Sequence, residues 1–343
     1  MTQLLNTLYV TTPDAALHLD HDTVQVKIDG TTRTRLPLLH LGAIVCFGPI
    51  FISPALIARC ADDGCTVVLL SRSGRFQARL EGPMTGNVLL RRAQHDALSD
   101  CQRACEIARS CIAGKVQNAR FVLSRSARDA NDAAISGVLS AAATNLGSLL
   151  GPIERAASID ALRGHEGDAA RQYYGVFDWM VRVDQTAFHL NGRTRRPPRD
   201  RMNALLSFLY TLLTSDCRAA AETVGLDPQI GFLHVLRPGR PALALDLVEE
   251  LRPVIADRLA LTLVNRRQLK PEDFIERPGG AVMLSDQGRK TVLTAYQERK
   301  RQEVTHRFLD QKISVGLIPH VQARLLARHL RGDLDHYPPY LPR

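Results

Sequence analysis

Several things are missing from this chain of 343 residues, and each absence excludes a class of protein. No CxxC pair and no zinc-ligand spacing occurs among its seven cysteines, Cys46, Cys60, Cys65, Cys101, Cys105, Cys111 and Cys217. A cysteine-built zinc site is therefore excluded. An odd, scattered set of thiols in a chain this long points to a reducing cytoplasm. The N-terminus, MTQLLNTLYVTT, has no basic region followed by an apolar core, so it is not a signal peptide. The most apolar stretch, residues 133 to 150, is interrupted by Ser136, Ser140, Thr144, Asn145 and Ser148. It reads as a small-residue helix inside a bundle rather than a membrane span. Neither GxxxxGK[ST] nor GxSxG occurs, which removes a nucleotide phosphate loop and a serine-hydrolase elbow. Tandem repeats and low-complexity segments are absent too.

Hydrophobic residues make up 45% of the chain and charged residues 23%, the balance of a globular protein with a proper core. Lys and Arg number 44 against 35 Asp and Glu, a net charge of +9 that favours polyanions, nucleic acid first. Arginine dominates the cations and grips phosphate in bidentate fashion. Arg193, Arg195, Arg196, Arg199 and Arg201 crowd around Pro197 and Pro198, which keep that segment extended. A solvated loop accounts for the same cluster equally well.

The first part of the chain alternates as β-structure. Leu17 and Leu19, then Val24, Val26 and Ile28, interleave with polar residues, and Asp29-Gly30 supplies a turn. Residues 44–47 and 66–70 read as buried strands, and Ser53 caps a short helix that begins at Pro54. After about residue 90 the pattern is helical, over 159–182, 202–221, 242–263 with a break at Pro253, and 287–306. Pro271 with Glu272 and Asp273 reads as a helix start that Pro278-Gly279-Gly280 stops. The proline-rich tail, HYPPYLPR, is expected to fray. The fold class is therefore α+β with two domains: a small β-rich domain over 1–85, a linker over 86–100, and a larger all-α domain over 101–343.

Two acidic segments and one histidine carry the chemistry. Glu166 shares a helical face with Leu162, Ala169, Ala170 and Tyr173, where a carboxylate needs a partner: an ion or an arginine such as Arg163. His234 lies in GFLHVLRPGR and is either a ligand or a satisfied structural imidazole. In PALALDLVEELRP, Asp246, Glu249 and Glu250 fall on one helical stripe, which is either functional or simply solvated. A histidine with two carboxylates suits Mn²⁺ or Mg²⁺. Carboxylates in the cleft of a basic DNA-binding protein usually serve a metal.

LRGHEGDAARQYY, RRPPRDRMNALLSFLYTLL and DPQIGFLHVLRPGRPALALDLVEELRP together resemble the CRISPR-associated adaptation integrase family. FISPALIARCADDGCTVVLLSRSGRFQARLEGP, GNVLLRRAQ and GKVQNAR resemble its upstream segments, so the likeness runs in order over about residues 36 to 266. It is closest to the I-C subtype. The resemblance implies an N-terminal β domain, an all-helical C-terminal domain and a homodimer. Two such dimers would flank a dimer of a small ferredoxin-like partner protein. The complex would capture short double-stranded DNA and insert it at the leader end of a CRISPR repeat array. Carried over by motif, the metal ligands are Glu166, His234 and Glu249, with Asp246 as a further acidic residue of the site. Some branches have Asp at the position of Glu249, and many have Ser where Ala242 stands; the catalytic set is intact.

The reaction expected from this resemblance is attack by a DNA 3′-hydroxyl on a phosphodiester, a transesterification that needs Mn²⁺ or Mg²⁺ and no nucleotide cofactor. Without an acceptor strand, water would nick DNA at the same site. Arg163, Arg193, Arg195, Arg196, Arg199, Arg237 and Arg240 are the expected phosphate contacts. The competing readings are a non-catalytic basic DNA-binding scaffold and a metal-dependent phosphoesterase acting on small molecules.

Overall fold

The computed structural model describes residues 6–72, 76–80, 88–183, 185–190, 192–194 and 197–343. It divides into two units: Met1–Thr85 with Asp286–Gln297, and Gly86–Ser285 with Glu298–Arg343.

The first unit is built on β1 (Asn6–Val10), β2 (Ala16–Asp20), β3 (Thr23–Ile28), β4 (Thr31–Pro37), β5 (Leu41–Phe47), β6 (Phe51–Ile52), α1 (Pro54–Asp63), β7 (Thr66–Leu70) and β8 (Phe76–Arg79). One sheet has the order β1-β5-β7-β8 and the other β4-β3-β2-β6. β5 pairs in parallel with both neighbours, and Ile44, Val45, Cys46 and Phe47 are all buried, as a doubly covered parallel strand requires. β3 and β4 are joined by Asp29 (φ 50°) and Gly30 (φ 73°), the left-handed pair that a tight hairpin with native twist needs. Ser53 caps α1 by accepting from the Leu56 N–H at 3.3 Å. Leu17, Val24, Ile44, Leu56, Cys60 and Val67 belong to the core.

The second unit carries α2 (Val88–Ser99), α3 (Cys101–Arg128), α4 (Ala133–Ser148), α5 (Leu150–Arg155), α6 (Ile159–Gly175), α7 (Arg201–Val224), α8 (Ala242–Leu251) and α9 (Arg258–Asn265). After them come β9 (Phe274–Arg277), β10 (Ala281–Leu284), α10 (Asp286–Arg301, whose first twelve residues belong to the other unit), β11 (Glu303–His306), β12 (Gln311–Ser314) and α11 (Ile318–Leu330). α3 packs against α4, α6 and α8, while α7 packs against α8 and α11.

Five details depart from the sequence reading. The expected linker over 86–100 is largely helix α2, which buries Leu90, Gln94 and Ala97; the Gln94 amide donates to Asp227 O and Ile230 O. The helical unit also contains two hairpins: Gly279 and Gly280 take left-handed φ and turn β9 back into β10, and Asp310 (φ 50°) does so between β11 and β12. Pro253 does not break the helix: residues Arg252–Asp257 widen into a π-turn that absorbs the missing N–H, and α9 continues from it. The stretch Ala133–Arg155 is long and apolar enough to cross a membrane by length and composition, and only 22% of its most apolar part is buried although α4 packs along α3. In α4 only the stripe Leu139, Ala142, Ala143 and Leu146 is buried. Finally, the tail is packed: Tyr337 and Tyr340 are buried, and the Asn118 amide donates to both Tyr340 O (2.8 Å) and Glu250 O (2.7 Å).

Candidate active site

The three acids of α8 are all buried, and each meets different partners. Asp246 is 1% exposed. Its Oδ2 accepts from the backbone N–H of Phe232 (2.6 Å) and Leu233 (3.0 Å); its Oδ1 accepts from the His234 N–H (3.1 Å) and lies 2.7 Å from His234 Nδ1. A carboxylate surrounded by four donors clamps the loop that carries His234. Because that carboxylate accepts, Nδ1 carries a proton, which leaves Nε2 as the nitrogen able to act as a ligand in the neutral ring. The clamp needs a glycine beside it. A Cβ on Gly231 would stand 2.5 Å from the Ala242 carbonyl carbon and 2.7 Å from Asp246 Oδ2.

Glu249, one turn further along α8, is 3% exposed. Arg252 Nη1 lies 2.7 Å from its Oε1, Lys115 Nζ 2.6 Å from its Oε2, and His234 Nε2 3.8 Å from its Oε1. Burial pushes the carboxyl pKa up, but Arg252, Lys115 and His234 together outweigh it and hold it down at about 2. The Lys115 contact is an ion pair by distance only. Among the described residues Glu249 Oε2 meets no donor besides the Lys115 ammonium, so this buried oxygen would be orphaned if Lys115 moved away. Lys115, from the middle of α3, also pairs with Glu166 Oε1 on α6. Burial pulls the ammonium pKa down, and the charges of Glu249 and Glu166 more than restore it. Lys115 Nζ is thus the point on which Glu166 and Glu249 converge.

Glu250 serves the tail. It accepts from Tyr337 OH (2.5 Å), the Tyr340 N–H (2.7 Å) and the Gln322 amide (3.1 Å), and burial pushes its pKa up to about 7. Gly114 makes room for this packing, since a Cβ there would stand 2.6 Å from Pro339 Cβ.

Glu166, His234, Asp246 and Glu249, singled out in the sequence, therefore gather in one place. Lys115 and Arg252 were missed. Lys115 was within view, inside the GKVQNAR segment, but a lone lysine on a helix carries no signal of its own. Asp246 acts on His234 and its loop rather than as a free acid. Arg163 donates to Leu233 O through Nε (3.0 Å) and Nη2 (2.6 Å), tying α6 to the His234 loop. Arg193 is turned inward over the rings of Tyr210 (5.1 Å) and Tyr174 (5.8 Å). Arg199 and Arg237 are exposed, Arg240 is half-buried, and Arg195 and Arg196 lie outside the described residues.

A family model described as CRISPR associated protein Cas1 matches residues 8–298. The chain belongs to the CRISPR-associated Cas1 family. It is 54% identical over 340 residues to the CRISPR-associated endonuclease Cas1 1 of Moorella thermoacetica, covering 99% of each chain. Against Cas1 2 of Rhodospirillum rubrum it is 53% identical over 344 residues, again covering 99% of each. Among solved structures, a Cas1 protein from Thermotoga maritima superposes with a TM-score of 0.82 at 24% identity, covering 96% of this chain and 97% of that one. A casposase bound to integration product gives 0.82 at 21%, with 97% and 93% covered. A Cas6-RT-Cas1–Cas2 complex gives 0.82 at 22%, with 99% and 36% covered. At these identities the structures establish the Cas1 fold. The α+β fold class, the endonuclease activity and the role in CRISPR adaptation by DNA integration stand with this Cas1 membership.

A Cas1-family endonuclease implies a divalent metal without naming which one. Among the described residues, no three His, Cys, Asp or Glu side chains stand close enough together to chelate an ion. Lys115 separates Glu166 from Glu249. The donor set nonetheless fits a hard divalent cation: two carboxylates that converge on one cationic position, and an imidazole whose far nitrogen is held by Asp246. The fit requires the Lys115 head to move aside, which its flexible four-carbon stem allows.

Proposed function

We propose that Glu166, His234 and Glu249 hold one divalent ion, Mn²⁺ or Mg²⁺, and that this site joins a DNA 3′-hydroxyl to a phosphodiester of a CRISPR repeat. The observation that supports the reading is the convergence of Glu166 and Glu249 on a single cationic position, with His234 Nε2 3.8 Å from Glu249 Oε1. When bound, such an ion polarises a phosphoryl oxygen and stabilises charge on the attacking and leaving oxygens.

The protein's own groups do the positioning. Asp246 fixes the ring and tautomer of His234. Glu249 stays anionic at any working pH, its pKa being about 2. Arg252 keeps Glu249 compensated, and Lys115 bridges Glu166 and Glu249 until an ion takes its place, when its displaced ammonium offers a second positive charge to an incoming phosphate. Exposed Arg237 on the His234 loop offers a contact for the strand. In the reaction the 3′-oxygen forms a new bond to phosphorus, the old P–O bond breaks, and the departing oxygen takes up a proton. No nucleotide cofactor enters. The protein acts in the cytoplasm on double-stranded DNA, as a homodimer alongside a small ferredoxin-like partner.

The test is strand transfer of a labelled short duplex into a supercoiled plasmid carrying a repeat array, with partner protein and Mn²⁺. Joined product from wild type, absent without metal and absent in His234→Ala, is the expected result. Equal DNA binding by both proteins with neither joining nor nicking would favour the scaffold reading and remove the metal site.

A further inference from the structure

Outside the catalytic cluster, the second unit contains a cavity of about 280 Å³. Arg125 of α3, Arg258 at the start of α9, Arg299 near the end of α10, and Arg343 line it, and no Asp or Glu is among its lining residues. Its remaining wall is mostly apolar and aromatic, with Phe121 and Tyr340 included and Thr305 as a polar exception. The four arginines are not equally free. Arg343 pairs with Asp310 at 2.7 Å, and Arg125 approaches Asp129 only at 4.0 Å. Arg299 Nη1 donates to the neutral Gln302 amide at 2.6 Å. The Arg258 guanidinium has no hydrogen-bond or ion-pair partner among the described residues, although the residue is half-buried; its backbone carbonyl accepts from the Thr262 hydroxyl. Burial, then Arg299 and Arg125, bring its pKa down to about 10, so it remains charged at neutral pH while repelled by its neighbours.

Like charges gathered in a partly desolvated cavity oppose folding, and Asp310 on Arg343 with Asp129 near Arg125 and Arg258 offsets them only in part. We propose that this cavity is a second anion site, which binds one phosphate of a nucleic-acid strand through Arg258, Arg299 and Arg125. Guanidinium forks match phosphate oxygens in geometry and charge. The apolar and aromatic wall suits the sugar or base attached to that phosphate. A cavity of about 280 Å³ admits either a strand or a free ligand; a strand is assigned because Cas1 membership makes DNA the polyanion this chain works on. The site therefore holds one unit of a polymer that continues outside it. The identity of that polymer rests on the DNA-binding function proposed above, whereas the anion chemistry does not.

The test pairs full-length wild type with the Arg258→Gln/Arg299→Gln double variant. Binding of a labelled short duplex with single-stranded ends is followed by anisotropy from 50 to 300 mM salt, and thermal unfolding is followed with and without pyrophosphate. The variant should keep the wild-type Tm or exceed it, bind DNA about tenfold more weakly at low salt, and lose one to two units from the slope of log K against log salt. Pyrophosphate should raise the Tm of wild type only. Unchanged DNA affinity and slope with no response to pyrophosphate in either protein would overturn the anion site. Unchanged DNA binding with a wild-type-only response to pyrophosphate would overturn the strand assignment in favour of a free phosphate ligand. Failure of strand transfer by wild type counts against the catalytic proposal alone, because the pyrophosphate response does not depend on it.

Discussion

Two groups of partly or fully buried charge lie on one continuous helical rod, and they are built on opposite principles. At Glu249 every charge has an opposite within reach: Lys115, Arg252 and the polar edge of His234 around one carboxylate, with Glu166 beyond Lys115. Nine positions later Arg258 faces Arg299 and Arg125, and no carboxylate lines the space between them. The first group is neutralised within the chain, so its geometry is prearranged before any ligand arrives. The second keeps a surplus of positive charge that Asp129 and Asp310 offset only in part, and the proposed phosphate would balance it. A protein that handles DNA needs both kinds, one to hold reacting groups in place and one to respond to a polyanion.

The contrast breaks most sharply at Glu249. Glu249→Ala leaves Lys115 and Arg252 buried without their shared partner, and stability should fall by about 3–5 kcal/mol in urea unfolding. Strand transfer should disappear with it. A loss below about 1 kcal/mol would show that the cluster's charge balance contributes little to the fold. Arg258→Gln, at the other group, should cost nothing measurable.

Asp257 offers the next largest effect, because it is a buried acid that burial pushes up to about 6, against the lowering influence of the Tyr210 hydrogen bond and Arg193. The folded chain holds that proton more tightly than the unfolded one, whose group titrates at 3.8. Its contribution is full below the unfolded value and is lost as pH rises through about 6. Asp257→Asn still accepts from Tyr210 OH (2.6 Å in wild type) and removes the titration. Relative to wild type it should gain up to roughly 3 kcal/mol between about pH 4 and pH 7. Parallel stability curves for the two proteins would mean that the carboxyl is solvated.

Gly231→Ala should act through the His234 loop. The new methyl must displace either the loop or the first turn of α8, at about 1–3 kcal/mol. The Asp246 clamp moves with it. Strand transfer should therefore fall more than stability does, and an active Gly231→Ala protein would show that the clamp tolerates movement.

Parts of this were legible in the sequence because they are local. Asp29-Gly30 can be read as a hairpin turn since few residue pairs tolerate two successive positive φ angles. Ser53-Pro54 reads as a helix start for equally short-range reasons. Glu166, His234 and Glu249 were legible through motif resemblance, not through spacing. Lys115 was not, because a single cation on a helix is normally solvated, and only the packing of α3 against α6 and α8 turns it inward. Arg193 misled in the opposite direction: it belongs to an arginine-rich, proline-flanked run, yet two tyrosine rings from α6 and α7 hold it inside. The tail misled as well, since its prolines suggested fraying while Tyr337 and Tyr340 find Glu250 nearly ninety residues away.

Sequence by itself determined the β-then-helical order, the basic surface charge and the presence of three acids on one turn and a half of α8. Tertiary structure decided what each acid does: Asp246 orients His234, Glu249 joins Lys115 and Arg252, and Glu250 anchors the tail. Helical periodicity sets the direction in which a side chain leaves the axis, but a buried charge is defined by its counter-charge and hydrogen-bond donors. For Glu249 and Glu250 the decisive ones, Lys115 and Tyr337, stand 134 and 87 positions away.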